Sequence, residues 1–433
     1  MTGAGARTGP TVVAAVLRGA GLLLGALATI LVARALQPDR FGDYAFVLSL
    51  VTIVSVPPTI GLRQTLARET AYATARNETT RLAAIWQWAF GWSAVIAILL
   101  AAALALWALR APAPDGMRGP LLAGALALLL MPAPQIFAGV LQGLGRIKSS
   151  LVPEAIVRPV LLLILIALLR LVAPDDWTTV TVMLLAVVVA VAAEAGVSAA
   201  LFLRATGFRP GQPHSSTVDL PRAALGLSVL SFGAIASVHL INTNLDVVML
   251  GLLADDTAAG LYRGATVLSE LVAFGLGVVN FVILPRVAGF HAQGDRDGLQ
   301  RLVTLSARVI TGMAVIGFVV ILLAGRLLLS GLFGAEFSGG QSALVILAFG
   351  QLVNAIFGPV ALVLNMTGHE RLTLLGVSVA VVLNTGLNLA LIPQFGIEGA
   401  AIASASALAL VRASASTRAR AAEVACALAA ASA

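Results

Sequence analysis

The sequence contains very little charge for its length. Only 11% of its 433 residues are charged, whereas 59% are hydrophobic, and the mean hydropathy is +0.99. A water-soluble protein carries about 25% charged residues. This composition therefore excludes an ordinary soluble globular protein and indicates a chain that is solvated mainly by lipid.

Cysteine is almost absent, since Cys426 is the only one in the chain. A single cysteine excludes an internal disulfide and any cysteine-based metal cluster. The sequence also lacks a glycine-rich phosphate loop, a His/Cys cluster with metal-ligand spacing and a Gly-x-Ser-x-Gly elbow. We therefore expect no catalytic residue, no metal and no cofactor. Without a nucleotide site, ATP is not an expected energy source for this chain.

The chain has a net charge of +7, from 27 basic and 20 acidic residues, but it contains no basic arm and no basic patch interleaved with aromatic residues. Nucleic acid is therefore not an expected partner. Positively charged loops on the cytoplasmic side of a membrane account for the excess of basic residues.

Twelve apolar runs have the length of about twenty residues that a membrane-spanning helix needs. They lie at 11–33, 41–62, 83–109, 119–144, 151–173, 178–203, 223–253, 258–285, 300–329, 341–366, 372–394 and 397–411. The first run is interpreted as a retained helix, because its apolar core is too long for a cleaved signal and further spans follow at once.

The longest connection, 205–221, is rich in Gly, Pro and Ser and is predicted to be a linker. It separates an N-terminal six-helix lobe, 1–204, from a C-terminal six-helix lobe, 222–433. The C-terminal lobe ends in a low-complexity tail of Ala, Ser and Arg from about residue 412.

The distribution of basic residues predicts the orientation of the spans. Seventeen Lys and Arg residues fall on the side shared by the N-terminus and the even-numbered loops, and six fall on the opposite side. Cytoplasmic loops are enriched in Lys and Arg. Both termini and the 205–221 linker are therefore predicted to be cytoplasmic.

Two pairs of similar segments indicate an internal repeat. VLQGLGRIK at 140–148 matches VLNMTGHER at 363–371, and the Gly-x-Tyr of 42–44 matches that of 260–262. The matches occur in the same order, and each half contains an even number of spans. The repeats are therefore predicted to be parallel, with a substrate path between them.

Several ionisable residues lie inside predicted spans, where charge is costly and usually marks a cavity or a partner. Arg18 in span 1 and Arg263 in span 8 are interpreted as cavity residues. Arg308, early in span 9, either reaches the membrane interface or belongs to a gate. Glu154 and Arg158 lie four residues apart on span 5, so they either neutralise each other or gate the lobes.

Three further spans contain polar residues that are candidates for ion coupling. Glu194 and Glu270 have no obvious local partner, and each is expected to pair with a cavity arginine or to carry a proton. His239, Asn242 and Asp246 share one face of span 7, which faces either a neighbouring helix through hydrogen bonds or a hydrated cavity. Asn384 and Asn388 form a weaker stripe on span 11 that is interpreted as helix packing.

Residues that weaken a helix and allow it to bend are predicted at matching depths of the two lobes. Pro57 and Pro58 lie within span 2, and Gly275 and Gly277 lie within span 8. Either pair weakens a helix and allows a bend.

The chain resembles the polysaccharide-exporter branch of the multidrug/oligosaccharidyl-lipid/polysaccharide exporter superfamily, which includes O-antigen and exopolysaccharide flippases. The residues that carry the resemblance are ARALQPDRFGDYAFVLSL (33–50), NTNLDVVMLGLLADDTAAGLYRGATVLSEL (242–271), VILPRVAGF (282–290) and LNLALIPQFGIEGAAIASA (387–405). The similarity covers about residues 10–410, and the short twelfth span departs from the family pattern.

The resemblance implies an all-α membrane protein with two six-helix lobes in a V around a central cavity. It implies alternating access that moves an undecaprenyl-linked oligosaccharide across the bacterial inner membrane for surface polysaccharide synthesis. Arg18 and Arg263 would then bind the pyrophosphate. Glycosyltransferases and a polymerase of the same pathway would be partners. The sugar, the energy source and the oligomeric state stay open.

The alternatives are two other kinds of transporter and one kind of enzyme. A cation-coupled multidrug antiporter of the same superfamily would favour acidic sites in the N-terminal lobe, yet spans 1 to 4 contain no interior Asp or Glu. A major-facilitator carrier also has parallel halves, but the loop after span 2 lacks that family's Asp-Arg-x-Gly-Arg type turn. A membrane polymerase or ligase of glycans would need a large external loop, and every external loop here is short.

Overall fold

The structure, a computed structural model, describes residues 8–76, 78–110, 116–172, 179–207, 222–293, 295–358, 363–364 and 370–431. Regular structure in these ranges is entirely helical, without a strand. Eight helices within the described ranges are long and apolar enough to cross a membrane. The fold class predicted from composition, an all-α multi-pass membrane protein, is confirmed.

The helices are numbered in chain order. They are α1 Thr8–Val54, α2 Val56–Thr59, α3 Leu62–Ala75, α4 Thr79–Arg110, α5 Arg118–Leu130, α6 Pro132–Gly143, α7 Ile147–Val152, α8 Arg158–Val172, α9 Val180–Thr206, α10 Arg222–Leu253, α11 Asp256–Gln293, α12 Arg296–Leu332, α13 Gln341–Ile356 and α14 Glu370–Ala431. A π-helical turn, Pro153–Val157, joins α7 to α8, and a 3₁₀ helix, Ala335–Gly340, joins α12 to α13.

The chain forms two compact units. Unit 1 comprises Met1–Leu36 and Asp43–Asn244, and unit 2 comprises Gln37–Gly42 and Leu245–Ala433. The first part of α10 therefore groups with unit 1 and its last residues with unit 2. Residues 208–221, most of the predicted linker, lie outside the described residues, and the lobe boundaries at 204 and 222 stay a prediction.

The second span of unit 1 is broken in the middle. Pro57 and Pro58 occupy the first turn of the short α2, and Gly61 takes a left-handed φ of 58° before α3 begins. The break frees the Pro58 carbonyl, which accepts a hydrogen bond of 2.6 Å from the Ser93 hydroxyl. The predicted bend at the two prolines is thus present. In unit 2, however, α11 runs uninterrupted through Gly275 and Gly277, so no matching break exists there.

The π-helical turn gives unit 1 a second irregular element. Such turns insert one extra residue into a helix and often occur at functional sites. Gly21 on α1 packs directly against this turn, since a Cβ at Gly21 would lie 2.9 Å from the Ala155 Cα. This close approach places Arg18, one helical turn earlier on α1, near Glu154 in the π-helical turn.

Helices α11, α12, α13 and α14 pack against one another in unit 2. The long α14 is kinked at Gly396, with φ 55° and ψ −126°, three residues after Pro393. The kink coincides with the turn predicted between spans 11 and 12. Beyond Val411 the backbone of α14 continues as a helix to Ala431, while the side chains of this tail lie outside the described part.

The turn of the internal repeat is described in its first copy only. Helix α6 ends at Gly143, and Gly145 adopts a left-handed φ of 74° that favours glycine. In the second copy, residues 365–369, including Gly368, lie outside the described residues.

The predicted orientation can be tested by cysteine labelling. The test uses a Cys426→Ser background. Thr74→Cys should resist a membrane-impermeant thiol reagent added to intact cells, because Thr74 lies between predicted spans 2 and 3, in a connection whose basic residues indicate the cytoplasmic side. Asp115→Cys, on the opposite side, should react and serves as the matched control. Reaction of Thr74→Cys from outside intact cells would reverse the orientation.

Candidate functional site

Three arginines and two glutamates form a group within unit 1, here named the Arg–Glu cluster. Arg18 lies on α1, Arg63 on the first turn of α3, Glu154 in the π-helical turn, Arg158 at the start of α8 and Glu194 in the middle of α9. The broken second span and the π-helical turn thus each supply a charged residue to the cluster.

The cluster is held together by ion pairs between different helices. The Nη1 of Arg63 donates to the Oε2 of Glu154 at 2.7 Å and to the Oε1 of Gln135 at 3.3 Å. The Nη1 of Arg158 lies 3.8 Å from the Oε2 of Glu194, which is buried. Arg18 interacts electrostatically with both Arg63 and Glu154. Glu154 and Arg158 therefore each form an ion pair with a residue of another helix, in place of a local pair with each other.

A cavity of about 400 Å³ opens beside the cluster within unit 1. Arg63, Arg158 and Glu194 line it, next to the break at Gly61. The polar side chains that complete the lining are Thr52, Ser55, Thr59, Gln64, Gln135 and Ser237. The cavity is thus polar, although helices of high apolar content surround it.

One nitrogen in this cavity wall has no hydrogen-bond partner. The Nη2 of Arg63 is buried and donates no hydrogen bond to any described residue. Three arginines and two glutamates also give the cluster a formal charge of +1. A buried cationic nitrogen without a partner is costly, so the cluster is suited to receive an anion from the cavity.

Arg63 is the residue that sequence reasoning missed. The predicted second span ended at 62, so Arg63 was counted among the basic residues of a cytoplasmic loop. The signal that identifies it is the combination of two prolines and Gly61 just before it, which predicts a broken helix. Half-helix N-termini in broken membrane helices commonly face anionic groups.

A second polar site surrounds Asp246 in unit 2, here named the Asp246 network. Asp246, near the end of α10, is buried. Its Oδ1 accepts hydrogen bonds of 2.7 Å from the side-chain nitrogens of both Asn384 and Asn388. Its Oδ2 accepts one of 2.8 Å from the Tyr262 hydroxyl and another from the Ser404 hydroxyl.

The Asp246 network joins both parts of α14 to α10 and α11. It gives a physical reason for the Tyr of the repeated Gly-x-Tyr motif, since Tyr262 is the residue that reaches Asp246 from α11. Asn384 and Asn388, interpreted from sequence as packing residues, are completely buried partners of this carboxylate. Their amide oxygens are buried without a hydrogen bond in the described structure.

The other two residues predicted on the face of Asp246 are Asn242 and His239. Asn242 belongs to unit 1, and its side-chain oxygen is buried without a partner among the described residues. The side chain of His239 lies outside the described part of the chain.

The remaining predicted residues are Arg263, Glu270 and Arg308, of which Arg263 directly follows Tyr262 of the Asp246 network. Arg263 is half-buried on α11 and interacts electrostatically with the exposed Glu270, seven residues later on the same helix. Arg308 is exposed on α12. Arg18 and Arg263, predicted to act together on one pyrophosphate, belong to different units.

Solved structures with this fold are membrane transporters. One is a multidrug resistance MATE family transporter of the MOP superfamily in an inward-facing conformation, with a TM-score of 0.74 and 12% identity over 92% of this chain and 94% of that one. Another is the lipid II flippase MurJ, with a TM-score of 0.72 and 11% identity over 94% of this chain and 87% of that one. At such identities the likeness establishes the fold, which is that of MOP-superfamily transporters.

The chain belongs to the polysaccharide biosynthesis protein family, whose model matches residues 11–291. It is also similar to the probable low-salt glycan biosynthesis flippase Agl15 of Haloferax volcanii, with 25% identity over 161 residues. That alignment covers 37% of this chain and 34% of the relative, so the match spans about a third of the relative's length. The resemblance noted from the sequence motifs is thereby confirmed.

Proposed function

We propose that this protein is a flippase that moves undecaprenyl-pyrophosphate-linked oligosaccharide from the cytoplasmic to the outer leaflet of the bacterial cytoplasmic membrane. The mechanism is alternating access, in a pathway that builds surface polysaccharide with glycosyltransferases and a polymerase. The observation that carries the proposal is the unpartnered Arg63 nitrogen in a polar cavity of a polysaccharide biosynthesis family member.

The chemistry of the Arg–Glu cluster fits a pyrophosphate. The planar guanidinium group forms paired, charge-assisted hydrogen bonds with phosphate oxygens. Arg63 and Arg158 both line the cavity, and Glu154 and Gln135 orient Arg63 from one side while its Nη2 stays available. The start of α3 has no side-chain cap, so its backbone N–H groups add partial positive charge at the same place.

Movement of a charged lipid needs an energy source, and the Asp246 network is our proposal for the coupling site. Its carboxylate is buried and can carry a proton. The hydroxyl oxygens of Tyr262 and Ser404 and the unpartnered amide oxygens of Asn384 and Asn388 supply oxygen ligands for a sodium ion. Glu194, buried beside Arg158 in unit 1, is the second candidate.

A cation-coupled multidrug antiporter is the second candidate function. The buried carboxylate of Asp246 and the MATE-like fold favour it. A polymerase or ligase of glycans is a third reading, which no described site supports. Deletion of the gene separates the first two functions, because loss of surface polysaccharide indicates the flippase and sensitivity to cationic drugs indicates the antiporter.

Variants of Arg18 and Arg263 test whether positive charges other than that of Arg63 help to move the substrate across the membrane. In a flippase-null strain, Arg18→Ala or Arg263→Ala is expected to abolish surface polysaccharide, because moving a pyrophosphate through a low-dielectric region needs fixed positive charge. Lysine at either position should rescue only in part, since it keeps the charge and loses the planar fork. The measurement is surface polysaccharide, normalised to the amount of protein in the membrane.

Arg308→Ala is the matched control, because Arg308 is an exposed arginine of α12 outside both polar sites. Normal polysaccharide from the Arg18→Ala/Arg263→Ala double variant, at a normal protein level, would remove both arginines from the mechanism.

A further inference from the structure

The segment Gln37–Gly42, here named the docking segment, belongs to unit 2 by its contacts, although the chain on either side of it belongs to unit 1. We propose that this segment is a latch that docks in unit 2 when the outer side of the transporter is closed and leaves it when that side opens. This proposal rests on the proposed function, because a latch of this kind requires alternating access.

An aromatic side chain anchors the docking segment. Phe41 is completely buried, and its ring meets that of Phe337 edge-on with 5.8 Å between centroids. Phe333 packs against Phe337 at 5.5 Å and completes the receiving surface. Gly264 on α11 leaves room for these rings, since a Cβ there would lie 3.2 Å from the Phe337 Cδ1. The anchor is thus inserted into a site formed by α11 and the end of α12.

Two glycines bring backbone against backbone beside this anchor. A Cβ added to Gly42 would lie 1.7 Å from the Asp256 carbonyl oxygen, and one added to Gly260 would lie 2.0 Å from the Pro38 carbonyl oxygen. Neither position can hold a side chain while the segment is docked. Gly42 and Gly260 are equivalent positions of the internal repeat, so the two copies of one motif meet face to face.

The docked conformation is strained. Gln37 has φ 66° and ψ 167°, and it is the only described residue other than glycine with a positive φ. This region of backbone conformation is almost restricted to glycine, so such a residue persists only where surrounding contacts impose it. The Phe41 anchor and the glycine contacts impose it here, and release of the segment would relieve it. A strained but well-packed segment has the properties of a two-state element.

The receiving site lies at the end of unit 2 that is predicted to be external. The docking segment joins spans 1 and 2, residues near Asp256 join spans 7 and 8, and the 3₁₀ helix Ala335–Gly340 joins spans 9 and 10. All three are odd-numbered connections, which the basic-residue distribution places outside the cytoplasm. The latch would therefore close the outer side.

Thiol labelling tests the latch without any knowledge of the substrate. In a Pro38→Cys, Cys426→Ser background, a membrane-impermeant maleimide added outside should react slowly, because residue 38 is buried while the segment is docked and the Phe41 anchor is intact. Adding Gly260→Ala should raise the labelling rate about tenfold. This change corresponds to a docked state that is less stable by about 1.4 kcal/mol of free energy. Adding Gln37→Gly should lower the rate, because glycine adopts the required φ without strain.

Gly277→Ala is the matched control on the same helix, since a Cβ at Gly277 would meet nothing within 4 Å. Equal labelling in the Gly260→Ala and Gly277→Ala backgrounds would overturn the latch, as would labelling of Pro38→Cys only from the cytoplasmic side.

A cleavable cross-link gives a second test that does not depend on Gly260→Ala folding correctly. Joining Phe41→Cys to Phe337→Cys should stop glycan export, and reduction should restore it. Undiminished export by the cross-linked protein would overturn the proposal. Absence of export by the protein with native Phe41 and Phe337 would instead count against the flippase function, while the labelling rates would still decide the latch.

Discussion

Replacing Arg63 with alanine is expected to abolish surface polysaccharide in a flippase-null strain that depends on this protein. Arg63 lines the cavity, and its buried Nη2 has no hydrogen-bond partner among the described residues. Hydrogen bonds that involve a charged group contribute about 1.5–3 kcal/mol each. Loss of two such bonds to a phosphate weakens binding on the order of a hundredfold or more. The measurement is surface polysaccharide at equal membrane levels of the variant.

Two further variants make this result specific. Arg63→Lys keeps the charge and should retain a small part of the activity, because it cannot form the paired hydrogen bonds. Arg68→Ala is the matched control on the same helix, since Arg68 pairs with Glu69 and half of its side chain is exposed. An exposed ion pair contributes only about 0–1 kcal/mol. Full export by Arg63→Ala would disprove the proposed role of the Arg–Glu cluster.

The Asp246 network should respond very differently to two replacements of its carboxylate. Asp246→Asn has nearly the same size, its oxygen can accept from Asn384 and Asn388, and its amide can donate to the hydroxyls of Tyr262 and Ser404. It should fold like the original protein and lose the negative charge that holds the coupling ion. Export should therefore fail, or become independent of the sodium or proton gradient.

Asp246→Ala should instead reduce the stability of unit 2. It leaves four donors without their acceptor, three of them on buried residues. Side-chain hydrogen bonds between membrane helices contribute about 0.6 kcal/mol on average and up to about 1.7. We expect a loss of about 2–3 kcal/mol and a lower Tm in detergent. Asp255→Asn is the control, because Asp255 is an exposed helix-capping residue. A normal ion dependence of export by Asp246→Asn would contradict the coupling role.

The features of the fold that sequence reasoning predicted are those that depend on local chemistry. Apolar length gives the spans, two consecutive prolines give the break before α3, and the Pro393–Gly396 pattern gives the kink in α14. Gly275 and Gly277 gave no break, because α11 keeps its backbone hydrogen bonds through both glycines. A glycine allows a bend without requiring one, whereas proline removes a hydrogen-bond donor.

The partners within each site could not be predicted, because tertiary packing sets them. Asp246 and Asn388 are 142 residues apart in sequence, and Arg63 and Glu154 are 91 apart. The i,i+4 spacing of Glu154 and Arg158 suggested a local pair, but the π-helical turn between them changes the helical register. Both residues then reach other helices. Ionisable residues inside predicted spans identified four of the five members of the Arg–Glu cluster. The expectation that Glu194 pairs with a cavity arginine did not name Arg158, its partner in the structure.

The most direct test of the flippase function uses purified protein in vesicles that contain undecaprenyl-pyrophosphate-linked oligosaccharide in both leaflets. A glycosidase added outside cannot cross the membrane, so in vesicles without protein it digests the outer leaflet alone. The flippase function predicts that vesicles with this protein lose the inner-leaflet pool as well, and that vesicles with Arg63→Ala do not. Persistence of the inner-leaflet pool in the presence of folded, active-state protein and an ion gradient would contradict the proposed function.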